Sequence, residues 1–306
     1  GFRYDGSSQY GLGKKWGFRP IVSVAYFISK EPFMQNINWL DDLKIRASYG
    51  QVGKNPGNVL ETYGLYVKGN RYMDINGVSP QNIQLYNLTW ELIEKYNVGI
   101  DIYALNNRLT ATVEYYTDIT KNTLHKKYKI PSSTGYEYLK WFNAGTIENS
   151  GFELQTSANI LNSNFISFDI DLNFAINRNK IIEVPENLVE DDVNMLENGK
   201  YISRIVEGST VHGYFGYIYD GVFPTSEDAL AKDSEGNTLI DGFGNPLYLR
   251  HENSRGYIFK GGDARYRDIN FDGLINEFDI VQLGKPYPDF HGGFGTKLTL
   301  FKYLSI

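Results

Sequence analysis

Residues 166–177 read ISFDIDLNFAIN, in which Ile166, Phe168, Ile170, Leu172, Phe174 and Ile176 alternate with Ser167, Asp169, Asp171, Asn173 and Asn177. Successive side chains of an extended chain point to opposite faces, so this alternation predicts a strand with one apolar and one polar face. Three more stretches repeat it. Phe152, Leu154, Thr156, Ala158 and Ile160 oppose Glu153, Gln155, Ser157 and Asn159; Leu109, Ala111, Val113 and Tyr115 oppose Thr110, Thr112, Glu114 and Tyr116; Val98, Ile100, Ile102 and Ala104 oppose Asn97, Gly99, Asp101 and Tyr103. Leu43–Tyr49, Val22–Ile28 and Phe294–Leu300 follow less cleanly, for about seven strands in all.

Two architectures use such strands. A soluble sandwich turns the apolar face inward; a membrane barrel turns it toward lipid. Length favours the barrel, because about 10 residues rising about 3.3 Å each at a tilt near 45° cover roughly 23 Å, the height of an outer-membrane apolar band. The connections favour it too. Turns at Asn106-Asn107 and Asn162-Ser163-Asn164 are short and made of residues that tolerate positive φ, whereas 53–92, 120–144 and 179–292 are long and polar. Short turns at one end and long loops at the other are the asymmetry of bacterial outer-membrane barrels. The expected fold is therefore all-β: part of a transmembrane antiparallel barrel, with 179–291 as one long extracellular loop. No internal repeat stands out beyond the hairpins, and the acidic stretch Val189–Gly208 reads as solvated surface.

Composition agrees. The chain of 306 residues has no cysteine, 24 Tyr, 18 Phe and 31 Gly, which suits β structure and excludes disulfides and thiol catalysis. A net charge of −6 argues against a nucleic-acid partner, which needs a basic stripe to neutralise phosphates. No apolar run reaches the roughly 18 residues of a membrane helix. His125, His212, His251 and His291 are scattered without metal-ligand spacing, and neither G-x-S-x-G nor H-E-x-x-H occurs, so no catalytic residues are assigned.

One segment suggests a metal. Residues 268–279, DINFDGLINEFD, place Asp268, Asn270, Asp272, the Leu274 carbonyl, Asn276 and Asp279 at positions 1, 3, 5, 7, 9 and 12 of an EF-hand-like loop, with Gly273 at the sharp turn. Oxygen-only ligands of this number suit Ca²⁺. The alternative is a turn-rich loop held by its own side-chain hydrogen bonds. Aromatic residues on long connections could contact a substrate, and Tyr214, Phe215, Tyr217 and Tyr219 in HGYFGYIYDGVF form one such group. Tyr63, Tyr66, Tyr72 and Tyr86 form another. The polar strand faces, with Lys44, Arg46, Glu114, Glu153, Asp169 and Asp171, would line a barrel lumen.

Taken in order, several elements resemble the SusC/RagA family of TonB-dependent outer-membrane nutrient transporters, typical of Bacteroidetes. RYDGSSQYG at 3–11, WGFRPIVS at 16–23 and LKIRASYG at 43–50 are followed by NLTWE at 87–91, NAGTIENSGFE at 143–153 and a Gly262–Gly284 segment that contains the D-x-N-x-D-G loop. Gly261 departs from the family, which often has proline there. The resemblance implies a plug and TonB-contacting segment before Gly1, further strands after Ile306, a complete barrel of about 22 strands, a SusD-like surface lipoprotein as partner, and import of oligosaccharides or peptides across the outer membrane. A secreted calcium-binding sandwich that binds carbohydrate or mediates adhesion, and a passive porin-like channel, are the rival readings.

Overall fold

The computed structural model describes residues 1–55, 62–163, 165–184, 202–203, 205–252, 256–301 and 304–305. The chain divides into two compact units, Gly1–Leu188 with Pro288–Ile306, and Val189–Tyr287.

The first unit is built on one sheet of nine strands: β1 Phe2–Gly6, β2 Trp16–Phe27, β3 Leu40–Lys54, β4 Glu91–Ala104, β5 Leu109–Lys121, β6 Thr146–Asn162, β7 Ile166–Glu183, β8 Phe290–Leu300 and β9 Leu304–Ser305. These nine lie in the sheet in chain order, each antiparallel to the next. Such a meander needs only hairpin connections, and register then carries side-chain rows straight across it. One row runs Val24, Ala47, Val98, Tyr115, Phe152, Ile176, Phe290; another runs Leu43, Ile102, Ala111, Thr156, Leu172, Phe294. On the opposite face the rows are polar: Lys44, Asp101, Thr112, Gln155 and Asn173 form one.

The apolar face is bare. Val24 is 63% exposed, Val98 51% and Phe294 69%, although each faces the same way as its apolar neighbours. A sandwich would cover that face with a second sheet, since leaving it in water forfeits roughly 25 cal/mol per Å². Exposed apolar rows of this kind suit a wall that faces lipid. Along β7 the apolar series from Ile166 to Ile176 spans about 33 Å of strand, or about 23 Å of height at a tilt near 45°.

Seven alternating stretches were legible; the sheet has nine strands. The two missed ones are the short edge strands β1 and β9. The strands are also longer than the expected ten residues: β6 has 17 and β7 has 18. Above Ile176 the sequence becomes Asn177-Arg178-Asn179-Lys180, so hydropathy contrast disappears while the strand continues. The β4–β5 turn holds Leu105, Asn106 and Asn107 at φ of 61°, 59° and 58°, as its asparagines predict. Asn164 of the β6–β7 turn lies outside the described residues; in the same turn the Ser163 hydroxyl accepts the Ile166 N–H at 3.1 Å.

Two of the long connections carry hairpins of their own, Tyr66–Tyr72 with Ile75–Pro80 and Leu124–Lys129 with Tyr138–Asn143. The third contains the second unit. Its core packs Phe223, Ala229, Ala231, Leu249, Phe259 and Ile275, with Tyr217, Leu239, Leu247, Tyr248 and Tyr266 against them. It has a repeat that the sequence reading passed over: KDSEGNTL at 232–239 and IDGFGNPL at 240–247 share x-D-x-x-G-N-x-L. In each copy the aspartate takes two backbone N–H groups, Asp233 from Glu235 and Asn237, Asp241 from Phe243 and Asn245, at 2.8–2.9 Å. Ala231, Leu239 and Leu247 then close a ring of three hydrogen bonds, N–H of 239 to C=O of 231, 247 to 239, and 231 to 247, at 2.8–2.9 Å. The acidic stretch 189–208 lies mostly outside the described residues.

Candidate functional site

Three places in the chain concentrate polar chemistry. The first is the polar face of the nine-stranded sheet. Arg46 of β3 reaches over β4 because Gly99 stands opposite it; a Cβ there would lie 2.8 Å from the guanidinium carbon. Its Nε meets Asp101 at 3.3 Å, Nη1 donates to Asn97 at 3.4 Å and Nη2 pairs with Glu114. Lys44 adds a second cation to Asp101 at 3.3 Å, and Thr112 donates to the other Asp101 oxygen at 3.2 Å. Six residues on three strands thus share one charge-balanced network, in which each carboxylate oxygen of Asp101 and Glu114 finds a donor. Glu153 and Asp171, predicted for the same face, are exposed on it.

The second place is a knot among the long connections, formed by motifs far apart in sequence. Tyr10, from DGSSQYG, is 2% exposed, donates to the Lys54 carbonyl at 2.7 Å and packs on Trp90, from NLTWE, with ring centroids 4.2 Å apart. Burial pushes the Tyr10 hydroxyl pKa up. The Arg19 guanidinium lies over the Trp90 ring, 5.1 Å from its centroid. Glu91 receives the Leu124 N–H at 2.9 Å and the Lys54 ammonium at 3.3 Å. Asn143, from NAGTIENSGFE, pairs with Thr89 in both directions, accepting its N–H at 2.7 Å and donating to its C=O at 2.8 Å. Sequence reading found the motifs but not their meeting; only the pairing of distant strands brings them together.

The third place is the loop Asp268–Asp279. The six predicted residues follow one another through a turn, the two-residue strand Leu274–Ile275 and the 3-10 helix Glu277–Asp279. Asp268 Oδ2 accepts Gly273 N–H at 2.8 Å, Asp272 Oδ1 accepts Leu274 N–H at 2.8 Å, and Asn276 Oδ1 accepts Phe278 N–H at 2.9 Å. Asn270 donates to Asp272 at 2.8 Å. Asp279 is fully buried, one oxygen on Ile269 N–H at 2.7 Å and the other on Asn276 N–H at 2.9 Å. Gly273 holds φ at 82°, where a side chain would be strained. The loop is thus closed by its own hydrogen bonds. One atom is left over: Asp268 Oδ1 is buried without a partner, and burial, with Asp279 and Asp272 nearby, pushes that carboxyl above its usual range. Among the described residues no three Asp, Glu or His side chains converge as a metal cluster. A cation would have to draw on Asn270, Asn276 and the Leu274 carbonyl as well as on the carboxylates.

The aromatic group divides. Phe215 is buried and Tyr217 packs against the second unit's core, so neither offers a face to a substrate. Tyr214 and Tyr219 remain exposed. Burial thus corrects half of that set, for alternation along Tyr214–Gly216 turns neighbouring rings to opposite sides. Of the other aromatic set, Tyr63, Tyr66 and Tyr86 are exposed.

A bare apolar face about 23 Å high, a networked polar face behind it and a meander without crossovers define the wall of a transmembrane β-barrel. Residues 1–244 match the family model described as TonB dependent receptor-like, beta-barrel. The chain belongs to that family, is SusC/RagA-like within it, and forms part of an outer-membrane barrel. It is 30% identical to TonB-dependent receptor P39 of Formosa agariphila, across 96% of this chain and 29% of that protein, and 28% identical to TonB-dependent receptor SusC of Bacteroides thetaiotaomicron, across 88% and 28%. Among solved structures, the RagAB peptide importer in its open-open state superposes with a TM-score of 0.70 at 22% identity, over 98% of this chain and 29% of that one; this likeness concerns the fold. The chain spans less than a third of the length of these relatives.

Proposed function

We propose that this chain forms part of the wall of a TonB-dependent channel that imports a bulky nutrient; the relatives are TonB-dependent receptors, and one structural neighbour is a peptide importer. The observation that carries the reading is the two-faced sheet: the apolar rows suit lipid, and the Arg46–Asp101–Glu114 network suits a hydrated lumen. The wall performs no catalysis. Energy comes through TonB, acting on a part of the protein beyond this chain, and a SusD-like surface lipoprotein is the partner. RagAB is a peptide importer, while the family resemblance implies oligosaccharides as well as peptides, so the two substrate classes are tested side by side. Uptake of size-graded labelled peptides and oligosaccharides is measured in cells with and without the gene. One class should lose uptake on deletion and on collapse of the proton gradient by a protonophore. Uptake that survives both treatments would instead indicate a passive pore or an unrelated role.

Within the second unit we further propose that the Asp268–Asp279 loop takes up Ca²⁺ weakly, on the order of 10⁻⁴ M, as extracellular modules do. The unpartnered Asp268 Oδ1 supports this, since a hard cation would satisfy the one oxygen that the loop's own donors leave bare. Protease protection of the loop by millimolar Ca²⁺, reversed by chelation and abolished in Asp268→Asn, is expected. Identical digestion with and without Ca²⁺ would mean that hydrogen bonds alone hold the turn.

A further inference from the structure

The outward, apolar face of the sheet changes character near the long connections. The row Val98, Tyr115, Phe152, Ile176 is followed along the strands by Tyr49, Tyr96, Thr117, Ser150 and Arg178, and then by Gln51, Glu94, Ile119, Glu148 and Lys180. Tyrosines at the edge of an apolar band mark the headgroup level of a bilayer. On β7 itself Arg178 is the next residue on this face beyond Ile176, the last of the apolar series, and Lys180 faces the same way about 7 Å farther along the strand. Both are exposed. Lys121, another cation on this side, is taken by Glu94 at 2.8 Å. Arg178 and Lys180 enter no ion pair among the described residues, although Glu148 is Lys180's cross-strand neighbour.

An unpaired guanidinium and ammonium at headgroup level, continuous with the lipid-facing rows, call for an anion supplied by the membrane. Arginine binds phosphate through two parallel N–H donors, and lysine adds a point charge. We propose that Arg178 and Lys180 form a site on the outer wall for the phosphate groups of the outer-leaflet glycolipid. This rests on the membrane-spanning reading of the sheet. Glycolipid held there would fill the surface beside β7, the strand that leads into the second unit.

The complete transporter, purified from outer membranes in detergent, provides the test. Native mass spectrometry counts retained glycolipid for the wild type and for Arg178→Gln, Lys180→Gln and the double variant, with Lys14→Gln as a surface-charge control. Each basic group at a membrane surface contributes about fivefold in affinity, so the double variant should retain about 25-fold less, and Lys14→Gln should match the wild type. Glycolipid stripped of phosphate should not rebind the wild type. Equal retention by wild type and double variant, or equal rebinding of the dephosphorylated lipid, overturns the site. Heat-modifiable migration on a gel reports barrel folding separately; if no form behaves as a membrane barrel, the underlying reading fails instead.

Discussion

Asp279 shows how much one side chain can hold. It is fully buried and spends each oxygen on a different backbone N–H, Ile269 and Asn276, so it closes its loop from inside. Asp279→Ala should cost about 2–3 kcal/mol, because two donors lose a charged acceptor within a buried turn. Hydrogen exchange at Ile269 and Asn276 should accelerate accordingly, and unchanged exchange there would contradict the role. Gly99 works by absence. Gly99→Val would place a Cβ within 2.8 Å of the Arg46 guanidinium. That group is already held by Asp101 and Glu114, so we expect a loss of about 1–3 kcal/mol in the urea unfolding of the barrel. The candidate loop was readable to this level because its oxygen-bearing residues adjoin one another in sequence. The Arg46 network was not, since its partners lie 11 to 68 positions apart and only register joins them.

At the scale of elements, the hairpin of Leu124–Lys129 and Tyr138–Asn143 carries a pH response. His125 stacks on Phe142, with Nε2 3.1 Å from the Ala144 carbonyl, and burial lowers its pKa below the usual 6.5. The unfolded hairpin therefore binds the proton first. Its stability is complete above pH 6.5 and falls as pH drops from 6.5 toward the depressed folded value. Amide exchange in the hairpin, corrected for intrinsic rate, should quicken between pH 7.5 and 5.5, and His125→Phe should flatten that slope. A slope that persists in the variant would assign the effect elsewhere. Period-two alternation exposed the long strands, since one buried-or-lipid face leaves a pattern at every second residue. It could not expose β1 or β9, whose FRYDG and two-residue LS are too short to show a period. The repeat at 232–247 was masked by its composition: its invariant Asp, Gly and Asn are the residues any turn uses.

For the whole molecule, the two compact units imply separable stability. Val189–Tyr287 has its own core, and β7 and β8 pair over eleven residue positions, Ile166↔Leu300 to Ile176↔Phe290. Replacing 189–287 in the complete transporter with a short Gly-Asn turn should leave a folded, heat-modifiable barrel. Failure to insert would show that the second unit guides β8 into place. Strand length and the asymmetry of short turns and long connections made barrel membership legible in the sequence, but the second unit was read only as one long loop, because its short strands and turns have no sustained period. Within it, the three-bond ring of Ala231, Leu239 and Leu247 has its own consequence. The ring and the two aspartate-closed turns use backbone groups, Asp and Asn, leaving Ser234, Glu235, Gly242 and Phe243 at the tips, with Phe243 93% exposed. Those tip side chains take no part in the ring or the aspartate bonds, so substitutions there should change what this unit displays and leave its frame intact.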